Sequence, residues 1–103
     1  MATYSQNPQY DAHTYSGHPD TNYGTTEYLN IAEGSTGIIS EIYLKFDLSS
    51  LKTGYVINSA TLRLFQYDSP DDWFNTIEVA AELCASSWSE NGITTNNKPG
   101  TLS

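Results

Sequence analysis

Between Ile42 and Asp47 the chain changes character at every step. Ile42, Leu44 and Phe46 are apolar, while Tyr43, Lys45 and Asp47 present an aromatic ring, a cation and an anion. A period of two in β-branched and aromatic residues belongs to a half-buried strand. The Leu48-Ser49-Ser50-Leu51 segment and the Lys52-Thr53-Gly54 turn signal end it. On this reading Ile42, Leu44 and Phe46 face a core, and the opposite face is displayed.

The same alternation recurs along the chain. It predicts a short first strand over Tyr10 to Tyr15, another over Glu27 to Ala32, and the long strand Ile38 to Asp47. Further strands are predicted over Ile57 to Asp68, with Ala60, Leu62 and Leu64 inward, and over Trp73 to Cys84. Turn-forming residues separate them: Ser16 to Gly24, Glu33 to Gly37, and Ser69-Pro70-Asp71-Asp72. From Ala85 onward the sequence reads as loop, and no helical period of useful length occurs. Strands at this spacing predict an all-β, antiparallel β-sandwich. Residues 1–9 read as a flexible lead-in and 10–103 as one domain. These strands barely supply two sheets, so the sandwich is expected to be incomplete within this chain, which is then a fragment or has its fold completed by something else.

Twelve acidic residues against four basic ones give a formal charge of −8. That field opposes a phosphate backbone and excludes nucleic acid as a natural partner. It also weighs against a polyanionic glycan unless Lys45, Lys52, Arg63 and Lys98 gather locally. No apolar run approaches the ~18 residues of a membrane span, and the first residues lack the pattern of a signal peptide. The single cysteine, Cys84, forms no intrachain disulfide; it reads as a small strand residue or as a reactive thiol.

A glycan site needs flat aromatic faces and a few planar polar groups. Tyr43, Lys45, Arg63, Phe65 and Tyr67 on outward strand faces, with Trp73 in a loop, supply that mixture. The competing reading is a solvated face on which Lys45 and Arg63 pair with Glu41, Glu78 or Glu82. Trp88 reads as a core anchor for the Ser86 to Glu90 turn more readily than as a sugar platform. Asp11, Asp20 and Asn22 offer the oxygen ligands calcium prefers, although turn chemistry already accounts for Asp20 and Asn22. His13 and His18 lack the spacing of a transition-metal pair. Lys45, with Glu82 or Glu41 as the catalytic carboxylate, is a candidate for an isopeptide cross-link to an Asn or Asp of a further strand, of the kind found in some surface adhesins, which needs a desolvated neutral amine. Nothing in the spacing singles out catalytic residues, so an enzyme is not expected.

Four motifs, taken in order, resemble a known family. They are Pro19-Asp20-Thr21-Asn22-Tyr23-Gly24; Tyr43-Leu44-Lys45-Phe46-Asp47-Leu48-Ser49; Ser59-Ala60-Thr61-Leu62-Arg63-Leu64; and Ser86-Ser87-Trp88-Ser89-Glu90 with Thr95-Asn96-Asn97-Lys98-Pro99. Together they resemble the DNRLRE-type domains grouped with carbohydrate-binding module family 96. The resemblance implies a jelly-roll-like β-sandwich, secreted or at the cell surface, that binds or presents polysaccharide without catalysis. The family's later strands, which normally follow the Asn-Asn-x-Pro segment, have no counterpart here. The structural alternative is an adhesin, filament or sheath subunit whose sandwich is closed by a strand from a partner or a neighbouring copy.

Overall fold

The computed structural model describes residues 3–33, 37–51, 53–65 and 79–102. The chain divides into two compact units, Met1–Leu48 with Glu82–Ser103, and Ser49–Ala81. Among the described residues there is no helix, and every named strand is antiparallel. The protein is all-β.

The first unit holds one three-stranded sheet in the order β1-β3-β2, with β1 at Tyr10–Tyr15, β2 at Ala32–Glu33 and β3 at Ile39–Lys45. β1 and β3 pair from Tyr10 opposite Lys45 to Tyr15 opposite Ser40. Directly opposed side chains share a face, so the register puts Tyr10, Ala12, Thr14, Glu41, Tyr43 and Lys45 on one side. Asp11, His13, Tyr15, Ser40, Ile42 and Leu44 lie on the other. Backbone bonds from Gln9 N to the Lys45 carbonyl (2.7 Å) and from Ser16 N to the Ile39 carbonyl (2.9 Å) close the two ends of the ladder.

β1 has the bounds the alternation predicts, and β3 falls within its predicted strand. Glu27 to Ala32 differs: only Ala32 and Glu33 pair, opposite Ser40 and Ile39. The Thr26 hydroxyl donates to the carbonyls of Tyr23 (3.0 Å) and Tyr28 (2.8 Å). Such local bonds hold the backbone in a turn and compete with a ladder.

The core of this unit comes largely from the part that reads as loop. Ala12 (1% exposed), Trp88 (7%) and Ile93 (1%) form it, with Tyr10, Tyr43 and Cys84 packed against them. Trp88 is thus a core anchor. β3 does not divide into one buried and one displayed face: Ile42, Tyr43, Leu44 and Lys45 are all half-buried, and the Tyr43 and Lys45 face, expected to be displayed, is covered by the 84–97 segment. Period-two alternation separates two faces but does not say which one receives a lid. The end of the predicted Trp73 to Cys84 strand is reduced to a bridge between Cys84 and Thr101. It is flanked by bonds from Leu102 N to the Leu83 carbonyl (2.7 Å) and from Ala85 N to the Gly100 carbonyl (3.3 Å). Residues 73–78 of that prediction lie outside the described residues.

In the second unit, the described part of the predicted Ile57 to Asp68 strand, residues 57–65, forms no ladder. Leu62 and Leu64, expected to face inward, are 48% and 59% exposed. Alternation buries a face only where a partner pairs with the strand, and among the described residues this stretch has none. Gly54 holds a φ of 91°, in keeping with the turn its sequence signals.

Gly24 meets the strictest local constraint. A Cβ at this position would overlap the Glu90 carbonyl oxygen, a backbone atom that cannot swing aside. Gly24→Ala should therefore destabilise the protein by about 1–3 kcal/mol, read as a lower urea midpoint, whereas Gly100→Ala, which meets nothing within 4 Å, should not.

Candidate functional site

The irregular segment from Ser86 to Asn97 is held to the sheet by side chains that take up its backbone carbonyls. Lys45, at the end of β3, donates from Nζ to the carbonyls of Ser86 (2.6 Å) and Trp88 (2.9 Å). The same ammonium lies 5.0 Å from the Tyr10 ring centroid and 5.1 Å from that of Trp88, within cation–π range. Tyr10 and Tyr43 both meet the Trp88 ring edge-on, with centroids 6.2 and 6.0 Å away. Burial raises the Tyr43 hydroxyl to about 12, with smaller contributions from the charges of Glu41 and Cys84.

Asn22 does the same from the turn-rich loop. Its Nδ2 donates to the carbonyls of Glu90 (2.9 Å) and Ile93 (2.8 Å), and its Oδ1 accepts from Gly24 N (3.1 Å). The Glu90 carboxylate in turn accepts the Asp11 N–H at 2.9 Å, on the edge strand β1. Asn96 N donates to the Pro19 carbonyl (3.1 Å) and its side-chain amide to Asp20. Within the segment, Asn97 accepts Thr94 N at Oδ1 (2.7 Å) and donates from Nδ2 to the Gly92 carbonyl (2.9 Å).

The Ser16 to Gly24 loop returns over the other face of the sheet. His13 is 3% exposed, and its ring stacks on Tyr23 with centroids 4.7 Å apart. The Tyr23 hydroxyl is 3.1 Å from His18 Nδ1, so the two histidines sit on different parts of one tyrosine. His13 Nδ1 has no hydrogen-bond partner among the described residues, and burial holds its pKa below the ordinary 6.5.

The residues singled out from sequence now fall into distinct groups. Tyr43 and Lys45 are engaged internally with Trp88. Arg63 is exposed and Phe65 is 90% exposed, both in the second unit. Tyr67, Trp73 and Glu78 lie outside the described residues. Glu82 is exposed and is not a partner of the Lys45 ammonium, whose acceptors are carbonyls. Lys98, not Lys45, pairs with Glu41. Asp20 and Asn22 are engaged with the 90–96 region, and Asp11 meets it through its backbone. Among the described residues no group of three or more His, Cys, Asp or Glu is placed to hold a metal ion.

One surface feature escaped the sequence reading. Ser87, Trp88, Ser89, Gly92, Ile93 and Asn97 line a shallow, open pocket of about 250 Å³. The serines on either side of Trp88 were the available signal, because a tryptophan anchored in the core leaves its neighbours outside.

Helix-free and antiparallel, with its loops fastened to strands by side-chain amides and an ammonium, this is a small all-β module. No helix among the described residues is long and apolar enough to cross a membrane. The model of carbohydrate-binding module family 96 matches residues 2–103, and the chain belongs to that family. Searches of curated proteins and of solved structures each returned no match.

Two outcomes follow from these contacts. Lys45→Met keeps an apolar stem but leaves the Ser86 and Trp88 carbonyls without their charged donor, at a cost of about 1.5–3 kcal/mol. Arg63→Met, at an exposed cation, should stay within about 0.5 kcal/mol in the same urea titration. His13 gives a pH dependence. The unfolded chain takes up a proton near 6.5, before the folded protein does. The stability contribution is therefore complete above that pH and is lost as the pH falls through the folded-state value. The urea midpoint should drop between about pH 7.5 and about pH 5.5, and drop less in His13→Gln.

Proposed function

We propose that this domain binds polysaccharide without cleaving it, as a module of a secreted or cell-surface protein. Family membership over residues 2–103 is the observation that carries the reading. The charge of −8 favours neutral over uronic glycans, since like charge repels an acidic chain across the whole surface. Of the aromatic and cationic residues proposed for contact, Phe65 and Arg63 are exposed, whereas Tyr43 and Lys45 hold the fold together. Phe65 offers a flat apolar face for sugar C–H groups, and the Arg63 guanidinium offers planar donors for hydroxyls.

Isothermal titration calorimetry against neutral and uronic polysaccharides tests this. The unmodified chain should bind a neutral polymer more tightly. Phe65→Ala should weaken that binding about tenfold, the loss of one stacking contact, with no change in melting temperature. Failure of every polymer to bind would overturn the reading.

A second reading has its own observation. Val56, Ile57, Leu62, Leu64 and Phe65 are exposed apolar residues of a segment without a ladder among the described residues. In a structural adhesin or sheath subunit such a stretch would pair with a strand from another chain and complete a sandwich. Light scattering during size-exclusion chromatography separates the two, because a concentration-independent monomer contradicts self-assembly.

A further inference from the structure

We infer that Asn91 is a site of spontaneous deamidation, through a succinimide closed by the Gly92 nitrogen, and that the isoaspartate product unfastens the 86–97 segment from the loop that carries Asn22. In the first step the Gly92 nitrogen bonds to Asn91 Cγ and gives up its proton. The Cγ–Nδ2 bond breaks, and ammonia leaves with that proton. Water then opens the five-membered ring. Attack at Cγ gives aspartate in an ordinary backbone, whereas attack at the main-chain carbonyl carbon leaves the chain running through the side chain, one carbon longer. By either route one water is consumed, one ammonia is released and one negative charge is gained.

The local structure leaves this pair open to the reaction. Asn91 and Gly92 are both exposed, in a turn over residues 90–92. Gly92 has no side chain to hinder attack by its nitrogen, and no other asparagine of the chain precedes a glycine. The Asn91 carboxamide has no hydrogen bond among the described residues. Those of Asn22, Asn96 and Asn97 are all engaged, with the carbonyls of Glu90 and Ile93, with Asp20, and with Thr94 N and the Gly92 carbonyl. Gly92 N donates to the Ser89 carbonyl at 3.2 Å, and the same carbonyl accepts Ile93 N at 3.0 Å. The exposed tip can therefore release Gly92 while the buried Ile93 keeps the turn closed. The fold also favours glycine here, because a Cβ at this position would approach Ser89 Oγ to 2.6 Å.

In the isoaspartate product the extra carbon enters where the segment is clamped. Asn22 Nδ2 donates to the carbonyls of both Glu90 (2.9 Å) and Ile93 (2.8 Å), so one nitrogen spans the peptide bond between Asn91 and Gly92. Lengthening the backbone inside that span moves the two carbonyls apart, and a single nitrogen no longer reaches both. The loop has no slack to follow, since Gly24 already lies against the Glu90 carbonyl.

The test is to age the folded full chain at mildly alkaline pH and follow each asparagine by peptide mass spectrometry. Asn91 should gain one mass unit, as a mixture of aspartate and isoaspartate, before Asn22, Asn96 or Asn97 changes. Asn91→Gln, whose longer side chain would have to close a six-membered ring, should show no gain at that position. The isoaspartate fraction, isolated by anion exchange and peptide mapping, should have a urea midpoint lower by about 0.5 M, the loss of roughly one hydrogen bond. Asn91→Asp adds the same charge to an ordinary backbone and should keep the midpoint of the unmodified chain. If Asn91 stays intact while a free peptide of the same local sequence converts completely, or while Asn22, Asn96 or Asn97 converts, the site is wrong. If the isoaspartate fraction is as stable as Asn91→Asp, the unfastening is wrong.

Discussion

Backbone carbonyls buried under an irregular segment need donors, and in this protein side chains supply them. A three-stranded sheet with one short strand has little apolar surface to hide, and its core is completed by Trp88 and Ile93 from a stretch without strand or helix. Such a stretch cannot satisfy its own polar groups through a regular ladder. The Asn22 carboxamide and the Lys45 ammonium reach across from the sheet side to do so, and the rest of the first unit follows from those contacts. Gly24 has no side chain because Asn22 draws the loop against Glu90. Tyr10 and Tyr43 flank Trp88 because Lys45 holds the indole between them.

This arrangement changes what the charged residues are for. Lys45 is a cation on a strand face, the kind of group that would meet a ligand if the face were open. It is half-buried, and its ammonium is engaged with two rings and two carbonyls. Lys98 is tied to Glu41. Lys45 and Lys98 therefore serve the fold of the first unit, within a chain whose overall charge is −8.

Much of this could be read from the residues alone, and the limits have physical causes. The bounds of β1 and the body of β3 were legible because alternation in Tyr, Thr, Ile and Leu is a local signal. That the Tyr43 and Lys45 face of β3 would also be covered was not, since the cover is the 84–97 segment, a contact between positions some forty residues apart. Leu62 and Leu64 carry the same alternation without a ladder among the described residues, so the pattern records a capacity to pair and not the pairing itself. Trp88 could be recognised as an anchor from its size and its Ser-rich surroundings. Asn22 could be read as a turn former or a calcium ligand but not as a bridge, because an Asx residue capping its own loop and one bridging to a distant segment look identical in sequence. The family resemblance did join the loop motif to the C-terminal motif, and the hydrogen bonds of Asn22 and Asn96 explain why the two occur together.

The central claim is that the segment around Trp88 is part of the cooperative core although it has no regular secondary structure. Native-state hydrogen exchange tests it directly. Amides held in that joint, Asp11, Ile93 and Asn96, should exchange with the same opening free energy as the amides of the β1–β3 ladder, since they open only when the sheet does. If Ile93 and Asn96 exchange at the rate of a free loop while the ladder stays protected, the segment is an appendage and the account is contradicted.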